Sequence, residues 1–395
     1  MKTKIIFLHN KATWYRIPFF NGISAYFDVF FLFTNENNVT EFHPEYQIVK
    51  RLGKYPISFA FKAYLLVFRR EYDIIILPPA DSFGELIDVL ILCSLAKIRR
   101  KKIIVWSERW RSPCTKRKFF SKIYDFFDST CMKFVFSLAT ICAISGGIKQ
   151  KEYFIKLGVR ESKISTVPYV TDFIDEMNPE IEGNDIKNLL SINGKKIILY
   201  VGRLVKRKGV DYLIKTFSEL RKKKEDICLL IIGGQGFYGH HDPNSFTISE
   251  LEKYAQRLGL IINNDIFFLG DIPHKDLPPY YQICNIFVLP AISDIDVEPW
   301  GLVINEAMIF GKPVIATSAV GSAHTLLKDG ENGFIIPEKN IAVLEEKLTF
   351  LLDHPDITAK MGERAKDFID RNYKYPNMID AFKKMVNTIN EMENK

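Results

Sequence analysis

The sequence predicts an α/β protein built from two Rossmann-like, doubly wound domains. Three observations carry that prediction: a length of 395 residues, two separate series of short apolar runs with helical spacers, and a polar, acidic stretch between the series. A chain of this length exceeds the size at which one hydrophobic core stops growing, so two domains are expected.

The first series comprises residues 4–8, 26–33, 73–77, 102–106 and 140–144, rich in Ile, Val and Phe. Such runs, apolar on both faces, read as buried parallel strands. The second series, after Asn193-Gly194, comprises residues 196–201, 227–232, 265–269, 285–289 and 313–316. Strand alternating with helix, twice over, gives two doubly wound units. Residues 341–352, 357–371 and 376–392 carry apolar positions at helical spacing and read as terminal helices, interrupted at Pro355 and at Tyr373-Lys374-Tyr375-Pro376. The expected organisation is a first domain over 1–175, a linker over 176–192 and a second domain over 193–375.

Composition bounds the class. Hydrophobic residues are 47% and charged residues 26%, with no repeat or low-complexity tract, which indicates a globular chain throughout. The apolar run 5–8 is too short for a signal peptide. Residues 86–98, broken by Asp88, fall short of the roughly 20 apolar residues that a spanning helix needs. The six cysteines form no CxxC pair, and reduced thiols in a cytoplasmic protein are the simplest account. The net charge of +7 conceals an asymmetry: residues 1–170 hold 27 Lys+Arg against 14 Asp+Glu (+13), and residues 171–395 hold 27 against 33 (−6). Scattered lysines usually mean only a solvated surface. The clusters Arg99-Arg100-Lys101-Lys102 and Lys116-Arg117-Lys118, with aromatics among them, point instead to an anionic membrane surface.

The chemistry concentrates in the second half. Strand 196–201 runs into Gly202-Arg203-Leu204-Val205-Lys206-Arg207-Lys208-Gly209, ahead of a helix starting near Val210. Glycines open the backbone and the cations favour an anion, so this loop reads either as a diphosphate clamp, with Arg203 and Lys208 as exposed cations, or as a solvated basic turn. Gly234-Gln235-Gly236-Phe237-Tyr238-Gly239 fits GxGxxG, but His240 to Asn244 separate it from the next helix, which starts at a capping box formed by Thr247 and Glu250. That separation argues against a dinucleotide fingerprint, while Gly234 and Gly236 still permit close approach of a phosphate or ribose. Asp294-Ile295-Asp296 and His240-His241 are tempting metal ligands, but neither has further spaced partners, and no metal is expected.

Glu298-Pro299-Trp300-Gly301-Leu302-Val303-Ile304-Asn305-Glu306 ends a strand, turns and opens a helix, with Glu306 expected in its second turn. Eight residues at the helical rise separate the two carboxylates by about 12 Å. That span suits a ligand with two polyhydroxyl ends and an anion between them, as in a nucleotide sugar. The bland alternative is a loop charge and a solvated helix residue.

Glu298 and Glu306 resemble the E-x7-E signature of the retaining family 4 glycosyltransferases of GT-B fold. The resemblance extends to Gly202-Arg203-Leu204 with Lys208-Gly209, to Gly233-Gly234-Gln235-Gly236, to Gly311-Lys312-Pro313 and to Asp329-Gly330-Glu331-Asn332-Gly333, covering nearly all of residues 164–370. It implies that Arg203 and Lys208 bind a donor diphosphate, Glu298 bonds hydroxyls of the donor sugar, and Glu306 bonds the ribose. Gly202, Gly234, Gly236, Trp300, Gly301 and Leu302 would complete the donor site, and the backbone at 321–322 would lie against the phosphates. Anomeric configuration would be retained without a side-chain nucleophile, and no metal or other cofactor would be needed. The resemblance also implies that the two domains face each other across a cleft and that the helix 376–395 packs back on the first.

The chain also departs from its relatives. Ser107-Glu108-Arg109 stands where many carry a histidine, making Glu108 a candidate catalytic residue. Ser322 replaces a frequent glycine, and His9-Asn10-Lys11 replaces a glycine-rich loop. The implied activity is transfer of a sugar from a nucleotide-diphosphate donor to a saccharide or lipid-linked acceptor in cell-surface polysaccharide or glycolipid synthesis, on the inner face of the membrane and with no nucleic-acid partner. A catalytically silent GT-B scaffold subunit and a sugar-nucleotide epimerase are the alternatives.

Overall fold

A computed structural model describes residues 2–9, 13–33, 46–48, 61–77, 83–107, 110, 119–145, 147–172, 182–235, 244–294 and 297–392. The chain divides into two compact units, the first made of Met1–Trp110, Lys116–Val170 and Tyr375–Lys395, the second chiefly of Thr171–Lys374.

In the first unit the elements follow as β1 (Lys4–His9), α1 (Ile17–Tyr26), β2 (Asp28–Phe33), β3 (Tyr46–Ile48), α2 (Phe61–Arg69), β4 (Ile74–Leu77), α3 (Phe83–Ile98), β5 (Lys102–Ser107), α4 (Phe119–Leu138), β6 (Ile141–Ile144), α5 (Gly147–Lys156) and β7 (Ile164–Thr166). All strand pairs are parallel, in the order β3-β2-β1-β4-β5-β6-β7. Direction of winding reverses between β1 and β4. The run expected as one strand over 26–33 begins two residues later, because Tyr26 closes α1 and Phe27 accepts the turn into β2.

The second unit runs α6 (Gly183–Leu189), β8 (Lys196–Val201), α7 (Val210–Arg221), β9 (Ile227–Ile232), α8 (Ile248–Arg257), β10 (Ile266–Phe268), α9 (Pro278–Ile283), β11 (Ile286–Leu289), α10 (Val303–Ile309), β12 (Val314–Thr317), α11 (Ala323–Leu326), β13 (Gly333–Ile336), α12 (Ile341–Asp353) and α13 (Pro355–Asn372). Its sheet is also wholly parallel, ordered β10-β9-β8-β11-β12-β13, and reverses between β8 and β11. Ile197, Ile198, Leu199 and Tyr200 on β8 are fully buried, as expected of a central strand covered on both faces. Part of the expected linker is ordered: α6 packs against α9 within this unit. Thr247 and Glu250 form the anticipated capping box on α8.

The last helix, α14 (Tyr375–Glu391), lies in the first unit. Phe382 reaches an aromatic cluster, with ring centroids 5.6 Å from Phe19, 5.7 Å from Phe27, 6.2 Å from Trp106 and 6.5 Å from Phe7. Gly22 on α1 faces the same helix, where an added Cβ would stand 2.3 Å from Ile379 Cδ1 unless that side chain turned away. Cys93, Cys131, Cys142, Cys228 and Cys284 are free thiols. Among the described residues no helix is long and apolar enough to cross a membrane.

Candidate functional site

In doubly wound sheets ligands bind beyond the carboxyl ends of the strands where winding reverses. In the second unit that place is the end of β8 and β11, and the loops that follow these strands carry the candidate residues. After β8 the chain passes through Gly202 (φ 157°), Arg203 and Leu204 into a short 3-10 turn, Lys206–Lys208, and Gly209 then caps α7 with φ 67°. A Cβ on Gly209 would lie 1.9 Å from the Pro290 carbonyl oxygen, so only glycine lets this turn approach the loop after β11. The Ile292 N–H donates to the Arg207 carbonyl at 2.8 Å, joining the same two loops. Gly233 meets the Gly202 carbonyl in the same way: a Cβ would come within 2.0 Å of it.

The loop after β11 leads to Glu298, whose backbone is tied to the loop after β12. Its N–H donates to the Ala319 carbonyl at 3.1 Å, and its carbonyl accepts from Gly321 at 2.9 Å. The carboxylate points back at the β8 loop. One oxygen, Oε2, accepts from Arg207 Nη1 at 2.6 Å and from Lys208 Nζ at 2.8 Å. All three side chains are largely buried, Glu298 and Lys208 to more than nine-tenths. Burial by itself pushes the Glu298 carboxyl up, but the charges of Lys208, Arg207 and Arg203 outweigh it and hold the group down at about 2, so it is an anion across the physiological range. The Lys208 ammonium is pushed below its ordinary value by burial, with the Glu298 charge opposing. Lys208 is therefore not the exposed cation the sequence suggests: its position in the 3-10 turn aims it inward.

Arg207 is the residue that motif reasoning misses. The Gly-Arg…Lys-Gly spacing selects Arg203 and Lys208 and says nothing of the position between, whereas the turn brings Arg207 onto the same carboxylate oxygen as Lys208. Arg203 lies close enough for its charge to bear on both Glu298 and Lys208, and its carbonyl accepts the buried Tyr200 hydroxyl at 2.8 Å.

Trp300 is buried, its indole N–H donating to Asn305 Oδ1 at 2.9 Å, so it braces the turn from Gly301 (φ 85°) through Leu302 into α10. Glu306 stands in the first turn of α10, earlier than expected, because the helix opens only at Val303. The residue is 3% exposed. Oε2 accepts the Tyr281 hydroxyl at 2.6 Å, and His274 Nε2 faces Oε1 at 3.4 Å. Gly234 accepts Leu204 N–H on its carbonyl at 2.8 Å, and a Cβ there would collide with the Asp271 carboxylate. Ser322 is fully buried at the start of α11, its N–H donating to the Trp300 carbonyl at 3.2 Å. Gly236, Glu108, Arg109, His240, His241 and Asp296 lie outside the described residues. Asp294 pairs with Lys339, and among the described residues no three His, Cys, Asp or Glu side chains converge as a metal cluster.

At the corresponding reversal of the first unit, His9 ends β1. The buried Arg16 guanidinium donates to the His9 ring and to the Tyr169 hydroxyl, lying 5.1 Å from the centroid of the Tyr169 ring.

Comparison with known proteins bears on the fold and on the family of the second unit. Residues 182–368 match the family described as Glycosyl transferases group 1. An uncharacterized glycosyltransferase of Methanocaldococcus jannaschii is 24% identical over 357 residues, spanning 88% of this chain and 84% of that protein. A GDP-mannose-dependent alpha-(1-6)-phosphatidylinositol monomannoside mannosyltransferase of Mycolicibacterium smegmatis is 28% identical over 187 residues, about half of each chain (47% and 46%). The crystal structure of Anabaena HepE in complex with UDP superposes with a TM-score of 0.76 at 18% identity, covering 98% of this chain and 100% of that one. A HepE structure with UDP-glucose superposes at 0.73, with 19% identity and coverage of 98% and 99%. Two doubly wound units and the matched segment define a glycosyltransferase of GT-B fold. Its second unit is, over residues 182–368, a glycosyl transferases group 1 domain.

Proposed function

We propose that the protein is a retaining transferase of family 4 type, which takes a sugar from a nucleotide-diphosphate donor bound at the β8/β11 reversal of the second unit and moves it to a saccharide or lipid-linked acceptor. The observation that carries this reading is the buried Glu298 carboxylate, shared by Arg207 and Lys208, with Arg203 beside them. Three cations and one carboxylate sum to +2, the complement of the two phosphate charges of such a donor. Arg203 and Lys208 clamp the diphosphate and stabilise the negative charge that develops as the bond from the anomeric carbon to the phosphate oxygen breaks. Glu298 bonds the sugar hydroxyls through its other oxygen, and Glu306, fixed by Tyr281, bonds the ribose. The new bond forms from the acceptor hydroxyl on the face the diphosphate leaves, its proton passing to the departing diphosphate. Side-chain cations do here what a metal ion does elsewhere, so turnover is expected to survive chelation. HepE was solved with UDP and UDP-glucose, and the mycobacterial relative is named for GDP-mannose, so UDP- and GDP-sugars head the donor panel.

The test is release of free nucleotide from that panel with a saccharide acceptor, followed by NMR of the product. Retained anomeric configuration supports the reading and inversion overturns the retaining assignment. An isomerised nucleotide sugar would make the protein an epimerase, and no turnover of any donor would leave a scaffold.

The acceptor side of the proposal is a peripheral association with the inner face of the membrane. In its support, Arg99 ties the α3 end to the α2 end, donating to the Phe68 carbonyl at 2.6 Å and the Arg70 carbonyl at 2.9 Å. The tie places exposed Lys97 and Arg100 beside Arg69, with Ile98 72% and Phe68 47% exposed among them. Each Lys or Arg near an anionic surface contributes about 1 kcal/mol, and exposed apolar side chains add contact at headgroup level. The second basic cluster, Lys116 to Lys118, lies outside the described residues. Liposome sedimentation is expected to show binding that requires anionic lipid and weakens with salt. Equal partition onto neutral and anionic liposomes would reduce the basic half to a solubility role.

A further inference from the structure

Glu298 and Lys208 are asked to do two things at once in the reaction proposed above. In the structure Lys208 Nζ neutralises Glu298, yet the same ammonium must turn to the diphosphate when the donor arrives. A carboxylate buried to this degree and left without a cation takes up a proton, because desolvation is the largest influence on it. Protonated, it would lose the charge that strengthens its bonds to sugar hydroxyls.

We propose that Arg207 is the positioning residue that keeps Glu298 in place and anionic while Lys208 is engaged with the donor. The geometry gives Arg207 that independence. Its carbonyl is pinned by Ile292 N–H at 2.8 Å, and its Nη1 reaches both the Glu298 carboxylate at 2.6 Å and the Val297 carbonyl at 3.5 Å. Arg207 thus contacts the loop after β11 at Ile292 and again at Val297 and Glu298, through groups other than Lys208. A guanidinium presents several donors in a fixed fork and stays charged, whereas an ammonium is a mobile point charge. Among the described residues, the charged and titratable groups that bear on Glu298 are Lys208, Arg207, Arg203 and the Tyr200 hydroxyl. Lys208 and Arg203 are committed to the diphosphate and Tyr200 is neutral, so Arg207 is the cation that remains.

This inference rests on the donor-site reading and is separable from it by experiment. Two measurements on the full chain serve: kcat and KM for the best donor from pH 5 to 9, and calorimetry of UDP and GDP binding near pH 6 in buffers of different ionisation enthalpy. For Arg207→Met an acid limb of kcat should appear within this range, a loss of about tenfold at about pH 5 with kcat near pH 8.5 within about threefold of the wild type, whose Glu298 stays anionic throughout. Arg207→Lys should restore most of the wild-type profile. Nucleotide binding near pH 6 should take up roughly half a proton more in Arg207→Met than in the wild type. A uniform loss at every pH, or proton uptake equal in both proteins, overturns the role of Arg207 while leaving the donor site standing. If Arg207→Met fails to fold, Arg207→Gln replaces it in both measurements. A wild type that binds no nucleotide diphosphate overturns the donor-site reading and this role with it.

Discussion

Lys208→Met is expected to lower turnover by about 10²–10³-fold, the range found when one preorganised donor to developing oxyanion charge is removed. The same substitution should cost roughly 1–3 kcal/mol of stability, because a buried hydrogen-bonded charge is left with one partner fewer. The sequence alone suggests a purely catalytic effect, as for any exposed cation. The structure changes that expectation, since Lys208 is 7% exposed and bonded to Glu298 at 2.8 Å. Arg203→Ala is the contrast: a half-buried side chain whose loss should lower turnover with a smaller change in denaturation midpoint. Nucleotide release and urea denaturation on the two variants decide the matter. Wild-type turnover in both would remove the diphosphate clamp, and an unchanged urea midpoint in Lys208→Met would mean that the ion pair is not formed in solution.

Gly209→Ala carries the second large effect. Its φ of 67° is disfavoured for an L side chain, and the added Cβ would sit 1.9 Å from a backbone oxygen that has no rotamer to yield. Either the β8 loop or the β11 loop must shift, and both bear site residues. A loss of roughly 3–5 kcal/mol is expected, at the severe end for a single substitution, together with loss of nucleotide binding. Gly259→Ala is the control: its φ is also positive, at 82°, but no atom stands within 4 Å of the added Cβ, so only the strain should register. A midpoint shift no larger in Gly209→Ala than in Gly259→Ala would show that the close contact of the two loops is not sustained.

Much of the fold is legible in the sequence. Long apolar runs such as 196–201 and 227–232 announce central strands because both faces are buried and every position must be apolar. The strands Tyr46–Ile48 and Gly333–Ile336 do not stand out as apolar runs because each lies at the edge of its sheet, where one side needs less covering, and Gln47 and Gly333 interrupt the pattern. The same physics divides the site. Glu298, Glu306, Arg203 and Lys208 stand out because their spacing is tied to a strand, a turn and a helix. The part of Arg207 depends on which way a 3-10 turn faces two neighbouring side chains, and linear spacing does not encode that. Nor does it report that the Glu306 carboxylate is held by Tyr281, since that bond joins helices 25 residues apart.

The helix α14 has a consequence for the order in which the protein is made. Phe382 completes the aromatic cluster of Phe7, Phe19, Phe27 and Trp106, yet it is translated some 355 residues or more after the first three of these. The second unit ends at Lys374, so all of it is synthesised before Phe382, and the first unit lacks a wall of its core until α14 has been made. The first unit, although begun first, therefore cannot complete its core first. Until α14 emerges, the nascent first unit carries an open aromatic face, an apolar surface of the kind that invites aggregation.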